Sequence, residues 1–357
     1  MNDKMEIDGR EIGPGKKPYI IAELSGNHNG DIARAKRLIK VAKDAGACAV
    51  KLQAYTADSL TIDSARSEFV LKEGSWKGRR LYELYEEAHT PWEWFPELFS
   101  YAKGLGITVF SSVFDQPGID FLEGLDVPAY KIASNELTDW PLVEAAVKTG
   151  KPIIVSTGTA SKQDVLDTIN FIKEIGGTQL AVLHCVSAYP ALPEESNLET
   201  MVDIRDSFNV ISGLSDHTLG TATSIAAIAM GACIIEKHFT LDRNDGGPDS
   251  SFSLEPHELE LLCHDTTCAW QSVKGVKYGE YADLLRRGIF TRQFWSTEDI
   301  NIGDVFTSTN IKSIRAPSDA RGIRTKDYQV VFGRKAKVFI PKHSAVTFNS
   351  IEHEELL

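Results

Sequence analysis

The sequence predicts an α/β protein: a (β/α)8 barrel of the TIM type over residues 1–275, a linker at 276–289, and a small β-rich domain at 290–357. Three observations carry that expectation. Short apolar runs alternate with longer amphipathic segments through the first three quarters of the chain, which is the mark of parallel βα units. The runs number eight, as a closed barrel requires. After about Lys274 the chain turns polar and glycine-punctuated, then β-rich, as in "NIGDVFTSTNIKSIRA" and "GRKAKVFIPKHSAVTF".

The expected strands are 19–24, 49–53, 107–113, 129–133, 152–156, 180–185, 210–214 and 233–238. Between them lie helical patterns. In "DIARAKRLIKVAKDAG", Ala33, Leu38, Val41, Ala42 and Ala45 recur at helical spacing and Gly46 provides the stop. In "SKQDVLDTINFIKEIGG", Ser161 is the expected N-cap and Gly176 the stop. Parallel strands flanked by helices bury both sheet faces, so closure into a barrel follows, with an open doubly wound sheet as the alternative. One connection breaks the rhythm. Residues 54–91 hold "KEGSWKGRRLYELYEEAHTPWEW", rich in Trp, Tyr and Arg, and a loop that long usually caps a pocket, although it could also pack on the barrel rim. The β-rich end is too short for more than a marginal core of its own, so docking on the barrel or on a partner subunit is expected.

Composition limits the partners. With 50 acidic and 38 basic residues among 357, the net charge of −12 disfavours nucleic acid and anionic membrane surfaces. An anionic small molecule then needs lysines gathered locally. Five scattered cysteines without paired spacing suggest neither a disulfide framework nor a cysteine metal site. The polar start "MNDKMEIDGR" has no apolar signal core, and no apolar run is long enough to span a bilayer, so the expected location is the cytoplasm.

In a barrel of this type the chemistry lies at the C-terminal ends of the strands. Those ends carry Glu23, then Lys51 and Gln53, Ser111 and Ser112, and Lys131, Ser134, Asn135 and Glu136. Ser156, then His184, Ser187 and Tyr189, then Ser215, Asp216 and His217, and finally Glu236, Lys237 and His238 complete the ring. Side chains alternate faces along a strand, so Lys51 shares a face with Gln53, Ser215 with His217, and Glu236 with His238. If His217 and His238 both point inward they can approach one divalent cation, with Glu23 or water completing the shell; such a ligand set suits Mn, Zn, Fe or Co. Lys51 and Lys131 with Ser111, Ser134, Ser156 and Ser215 form an inventory for phosphate or carboxylate. Each serine alone could be a turn residue. Glu23 and Glu136 are candidate proton carriers, expected to stay ionised beside the lysines, with simple salt bridging as the other reading. Asp249, in the glycine-rich "RNDGGPDSSFSL", is a further reactive candidate.

The motifs "IAELSGNHNGD", "KLQAYTADSL", "YKIASNEL", "IIVSTGTA", "LHCVSAYP", "GLSDHTLG" and "IEKHFTLDR", in that order, resemble the sialic acid synthase family nearly end to end. "LYELYEEAHTPWEW" and "GGPDSSFSL" resemble its pseudaminic-acid-making branch rather than the branches making N-acetylneuraminic or legionaminic acid. The resemblance implies a metal-dependent condensation of phosphoenolpyruvate with an amino-sugar aldehyde, in that branch 2,4-diacetamido-2,4,6-trideoxy-L-altrose, releasing phosphate. It implies Mn²⁺, with Mg²⁺ or Co²⁺ possible, on His217 and His238. Lys51, Lys131, Ser134, Ser156, Ser187 and Ser215, with Ser111 or Ser112, would hold phosphate and carboxylate. Glu23 would orient or deprotonate the water added at carbon 2, and Gln53, Glu136, Tyr189 and Asp249 match positions that contact the sugar. The C-terminal domain would be of the antifreeze-like (SAF) type, with Arg315 lent to the other subunit's site in a domain-swapped homodimer. Two other readings remain: a non-catalytic sugar- or ice-binding protein, and a metal aldolase or 3-deoxy-keto-acid-phosphate synthase.

Overall fold

Eight parallel strands close on themselves in the computed structural model, which describes residues 4–72, 76–276, 291–315 and 322–352. A short antiparallel hairpin precedes them, β1 (Met5–Ile7) and β2 (Arg10–Ile12). The barrel strands are β3 (Tyr19–Glu23), β4 (Ala49–Ala54), β5 (Thr108–Val113), β6 (Tyr130–Ile132), β7 (Ile153–Ser156), β8 (Leu180–Cys185), β9 (Ile211–Asp216) and β10 (Ile234–His238). Neighbours pair in chain order and β10 closes onto β3. All eight expected strands form, with ends differing by a residue or two. Closure, rather than an open sheet, removes both edges and lets helices cover the outer face.

The hairpin was not expected from a polar N-terminus. Its signal is Asp8-Gly9, both at positive φ (51° and 74°), the conformation a two-residue hairpin turn demands. Met5, Ile7 and Ile12 alternate into the same buried cluster as the barrel strands.

The helices start and stop for local reasons. Asp31 caps Ile32–Asp44 by accepting from Ala33 N, and Ser161 caps Lys162–Glu174 in a reciprocal box with Asp164. The buried stripe of Ile32–Asp44 is Ala35, Leu38, Ile39 and Ala42, so Ala33 faces outward, contrary to expectation, and the apolar face is rotated toward Ile39. The long connection after β4 is only partly irregular. It contains helices Ala57–Leu60 and Leu81–Ala88, and a bridge between Val70 and Arg80 folds it back on itself.

The chain divides into two compact units, Met1–Lys274 and Gly275–Leu357. Apart from Val276, the linker expected at 276–289 lies outside the described residues. In the second unit β11 (Arg292–Ser296) pairs antiparallel with β12 (Ile311–Arg315). Single bridges such as Ile300 with Ile340 and Ala336 with Ile351 replace most of the further strands expected there. Its own core holds Phe294, Phe306, Ile311, Val331, Ile340 and Val346. No helix among the described residues is long and apolar enough to cross a membrane.

Candidate active site

Register explains why distant residues meet. Parallel strands place in-register side chains on the same face, and the barrel pairs His238 with Glu23, Glu23 with Lys51, and Gln53 with Ser112. Ser112 in turn pairs with Lys131, Glu236 with Ser215, and Ser215 with Cys185. A polar ring thus lines the interior at the C-terminal ends of the strands.

Lys51 is its hub. The ammonium lies 3.0 Å from Glu23, 3.2 Å from Glu236 and 3.1 Å from Ser112 Oγ, all buried. Lys131 Nζ donates to Ile132 O and sits 4.0 Å from Glu236, which also accepts from Ser215 Oγ at 3.2 Å. Burial lowers Lys131 below the ordinary lysine range, and Glu236 only partly offsets it. Burial also opposes the charge on Lys51, yet Glu23 and Glu236 together outweigh it and raise Lys51. Of the two carboxylates that share Lys51, burial raises Glu23. Glu236 goes the other way, because Lys131 and Lys51 together overcome its burial. The two shifts run in opposite directions because Glu236 has the second lysine beside it. Burial likewise raises Glu136 and Asp249. For Glu23 and Glu136 burial thus outweighs the lysines, and the shift runs against the direction those neighbouring charges alone would give.

The two histidines turn toward each other, with ring centres 5.4 Å apart. His217 Nδ1 lies 2.9 Å from Val186 O, and donation there leaves Nε2 as the lone-pair nitrogen. His238 Nδ1 is buried without a hydrogen-bond partner, 3.8 Å from the Asp249 carboxylate. Burial and the neighbouring cations push His238 well below its ordinary value, so its ring is neutral and available as a ligand. Two imidazoles bound to one ion at about 2.1 Å each hold their centres roughly 5 Å apart, so this pair fits a shared divalent cation. Among the described residues no three His, Cys, Asp or Glu side chains converge on one point, so such an ion would draw its other ligands from water or substrate. The carboxylate beside His238 is Asp249. Glu23, expected in that shell, is engaged by Lys51 and by Gln53 Nε2 at 2.8 Å.

Two adjoining cavities occupy this end of the barrel. The smaller, about 90 Å³, is lined by Lys51, Ser112, Lys131, Ser134, Ser156, Ser187, Ser215, Cys185 and Glu236, together with both histidines. Gly158 backs it, since a side chain there would collide with the Ser134 and Ser187 hydroxyls. The larger, about 250 Å³, shares Gln53, Asn135, Tyr189 and His238 with the first and adds Glu136 and Asp249. Leu60, Leu71, Trp76, Leu81 and Leu84 complete it, so the long connection after β4 walls a pocket rather than merely packing on the rim.

Two expected residues fall elsewhere. Strand alternation turns Ser111 to the outer face with Leu52 and Tyr130, where its hydroxyl donates to Ser112 O; Ser112 takes the place expected of it. Glu23 lies behind Lys51 and Gln53 and lines neither cavity. Arg315 ends β12 of the second unit, exposed. Sequence reasoning put Glu236 in the ring without giving it a role, and missed Cys185 as a cavity residue. The signal for Glu236 was its shared face with His238, and Cys185 Sγ lies 3.8 Å from His217 Nδ1.

Outside the ring a second charged cluster pins the same strands. Asp216 and Lys237, in register and 1% exposed at the side chain, pair at 2.9 Å. Asp216 also accepts from Thr218 N and Oγ1 and from Ser224 Oγ, and Lys237 Nζ donates to Thr218 O. Against burial, Lys237 and Ser224 hold Asp216 below the ordinary carboxylate range. Lys237, with fewer partners, is lowered by burial.

A closed eightfold barrel with buried ammonium groups, hydroxyls and a histidine pair at the C-terminal strand ends defines a barrel enzyme that handles a small anionic substrate. The chain matches the NeuB family over residues 38–278 and belongs to it. It is 42% identical over 321 residues to a pseudaminic acid synthase of Campylobacter jejuni subsp. jejuni, covering 90% of this chain and 93% of that protein. It is 38% identical over 339 residues to the pseudaminic acid synthase of Helicobacter pylori, covering 94% and 98%. Among solved structures, the N-acetylneuraminic acid synthetase of Leptospira borgpetersenii superposes with a TM-score of 0.70 at 31% identity, over 80% of this chain and 98% of that one.

Proposed function

We propose that this chain condenses phosphoenolpyruvate with 2,4-diacetamido-2,4,6-trideoxy-L-altrose and water to give pseudaminic acid and phosphate, the reaction of a pseudaminic acid synthase. The observation that carries the reading is the pair of adjoining cavities, one an anion cradle and the other large enough for a sugar, meeting at Gln53, Tyr189 and His238. Family membership and the two pseudaminic acid synthase relatives support it.

In this reading Lys51 and Lys131, with the hydroxyls of Ser112, Ser134, Ser156, Ser187 and Ser215, hold the phosphate and carboxylate of phosphoenolpyruvate. Carbon 3 of that substrate adds to the aldehyde carbon of the open-chain sugar. Carbon 2 becomes electron-poor and takes up water, and loss of inorganic phosphate balances the reaction. Glu136, lining the cavity and raised by burial, takes and returns the proton of that water. Glu23 acts one step back, orienting Gln53 and Lys51. A divalent cation on His217 and His238, Mn²⁺ by family resemblance, with Mg²⁺ or Co²⁺ as alternatives, would supply Lewis acidity at the aldehyde oxygen. Residues 290–357 serve as an antifreeze-like domain that lends Arg315 to a second subunit's site in a domain-swapped homodimer. The enzyme acts in the cytoplasm.

The test is phosphate release and product mass from phosphoenolpyruvate with a panel of acetamido hexoses, including the N-acetylneuraminic and legionaminic precursors. The trideoxy-altrose is expected to react best, and chelation, His217→Ala and His238→Ala to abolish turnover. Absence of phosphate release with every acceptor would overturn the reading; preference for another acceptor would move the chain to another branch.

A further inference from the structure

The larger cavity has walls of two chemistries. Most of its polar side chains come from the barrel end, Gln53, Asn135, Glu136, His238 and Asp249 among them. The connection after β4 contributes Leu60, Leu71, Trp76, Leu81 and Leu84, with the rings of Tyr55 and Tyr85 beside them. Trp76 spends its one polar atom elsewhere, donating from Nε1 to Pro248 O at 3.0 Å, so its ring offers only carbon. Leu84 is buried, and neighbouring Tyr55 and Tyr85 meet edge to face at 5.9 Å, which braces the wall.

Orientation follows from the chemistry. The sugar's reacting carbon must lie at the edge shared with the anion cradle, where phosphoenolpyruvate is held. An extended six-carbon chain laid from there carries its far end away from the cradle, toward the leucines. We propose that Leu71, Trp76, Leu81 and Leu84 form a specificity wall that selects acceptors ending in a methyl at carbon 6. This rests on the reading of the preceding section and adds to it which residues choose the acceptor. A hydroxyl at carbon 6 laid against Leu71, Trp76, Leu81 and Leu84 would lose water to carbon, and a phosphate or ammonium would fare far worse.

The test uses two acceptors of one configuration, 2,4-diacetamido-2,4,6-trideoxyhexose and its 6-hydroxy counterpart, and the alditols made by reducing each. The unsubstituted protein is expected to favour the 6-deoxy acceptor by about tenfold to a hundredfold in kcat/KM, mostly through KM. Leu84→Asn and, at a more tolerant half-buried position, Leu71→Asn should bring that ratio near one while leaving the KM for phosphoenolpyruvate unchanged. Equal use of both acceptors by the unsubstituted protein, or variants that slow both equally, would overturn the wall. If neither acceptor releases phosphate, the reaction proposed above fails, and calorimetry with the alditols decides the wall separately. Tighter binding of the 6-deoxy alditol, lost in Leu71→Asn, supports it, and equal binding of the two overturns it.

Discussion

Strands β9 and β10 carry buried charge on both faces, and the faces use it differently. Outside, Asp216 receives donors from Lys237, Thr218 and Ser224, and the cluster clamps the backbone on either side of His217. Inside, one residue away, the accounting is left open: Glu236 Oε2, Ser156 Oγ and His238 Nδ1 are buried without hydrogen-bond partners. A closed network fixes geometry, whereas an open one is completed by a ligand. The difference teaches how to tell a structural charge from a functional one on the same pair of strands.

The outer pair should give the largest effect. Asp216→Ala strands the Lys237 ammonium and should cost about 3–5 kcal/mol in urea unfolding, with Asp216→Ala/Lys237→Met recovering most of it. A cost below about 1 kcal/mol would show that the clamp does not hold the strands. Inside, the expectation reverses. Lys131→Met should reduce kcat/KM for phosphoenolpyruvate by about 10²–10³ while the urea midpoint stays level or rises, because burial outweighs the support that Glu236 gives that ammonium. A fall in both together would erase the distinction. Gly158→Ala sharpens it further: a methyl pressing on Ser134 and Ser187 should raise the KM for phosphoenolpyruvate about tenfold, with a change in stability under about 1 kcal/mol.

The smallest effect is in pH, where Asp216 of the outer cluster and Glu136 of the cavity should move oppositely. Asp216 is depressed in the folded state, so its stabilisation is complete above the ordinary aspartate value and is lost as pH falls below about 4. Glu136 is raised in the folded state, so ionising it costs stability as pH climbs from about 4.3 through its folded value, and acidification restores that loss. Glu136→Gln should therefore flatten the thermal-midpoint profile above pH 4, by at most about 1.4 kcal/mol per pH unit. Asp216→Asn should flatten it only below. Parallel changes in the two variants would refute the assignment.

The barrel was legible in the sequence because eight apolar runs separated by amphipathic helices have few other ways to bury both sheet faces. Strand alternation also put Lys51, Lys131, His217 and His238 inside, since a period of two needs no tertiary information. It failed at Ser111, where two adjacent serines left the phase undetermined until pairing with Leu52 and Tyr130 fixed it. Residue types and strand phase thus belong to the local sequence, which dictates backbone period and burial. Which carboxylate is raised and which lowered, that Glu23 is engaged by Lys51 and Gln53, and that a distant connection supplies an apolar wall were decided only by closure of the barrel. Closure brings β10 against β3 and sets several buried charges around one ammonium, and no local stretch contains that arrangement.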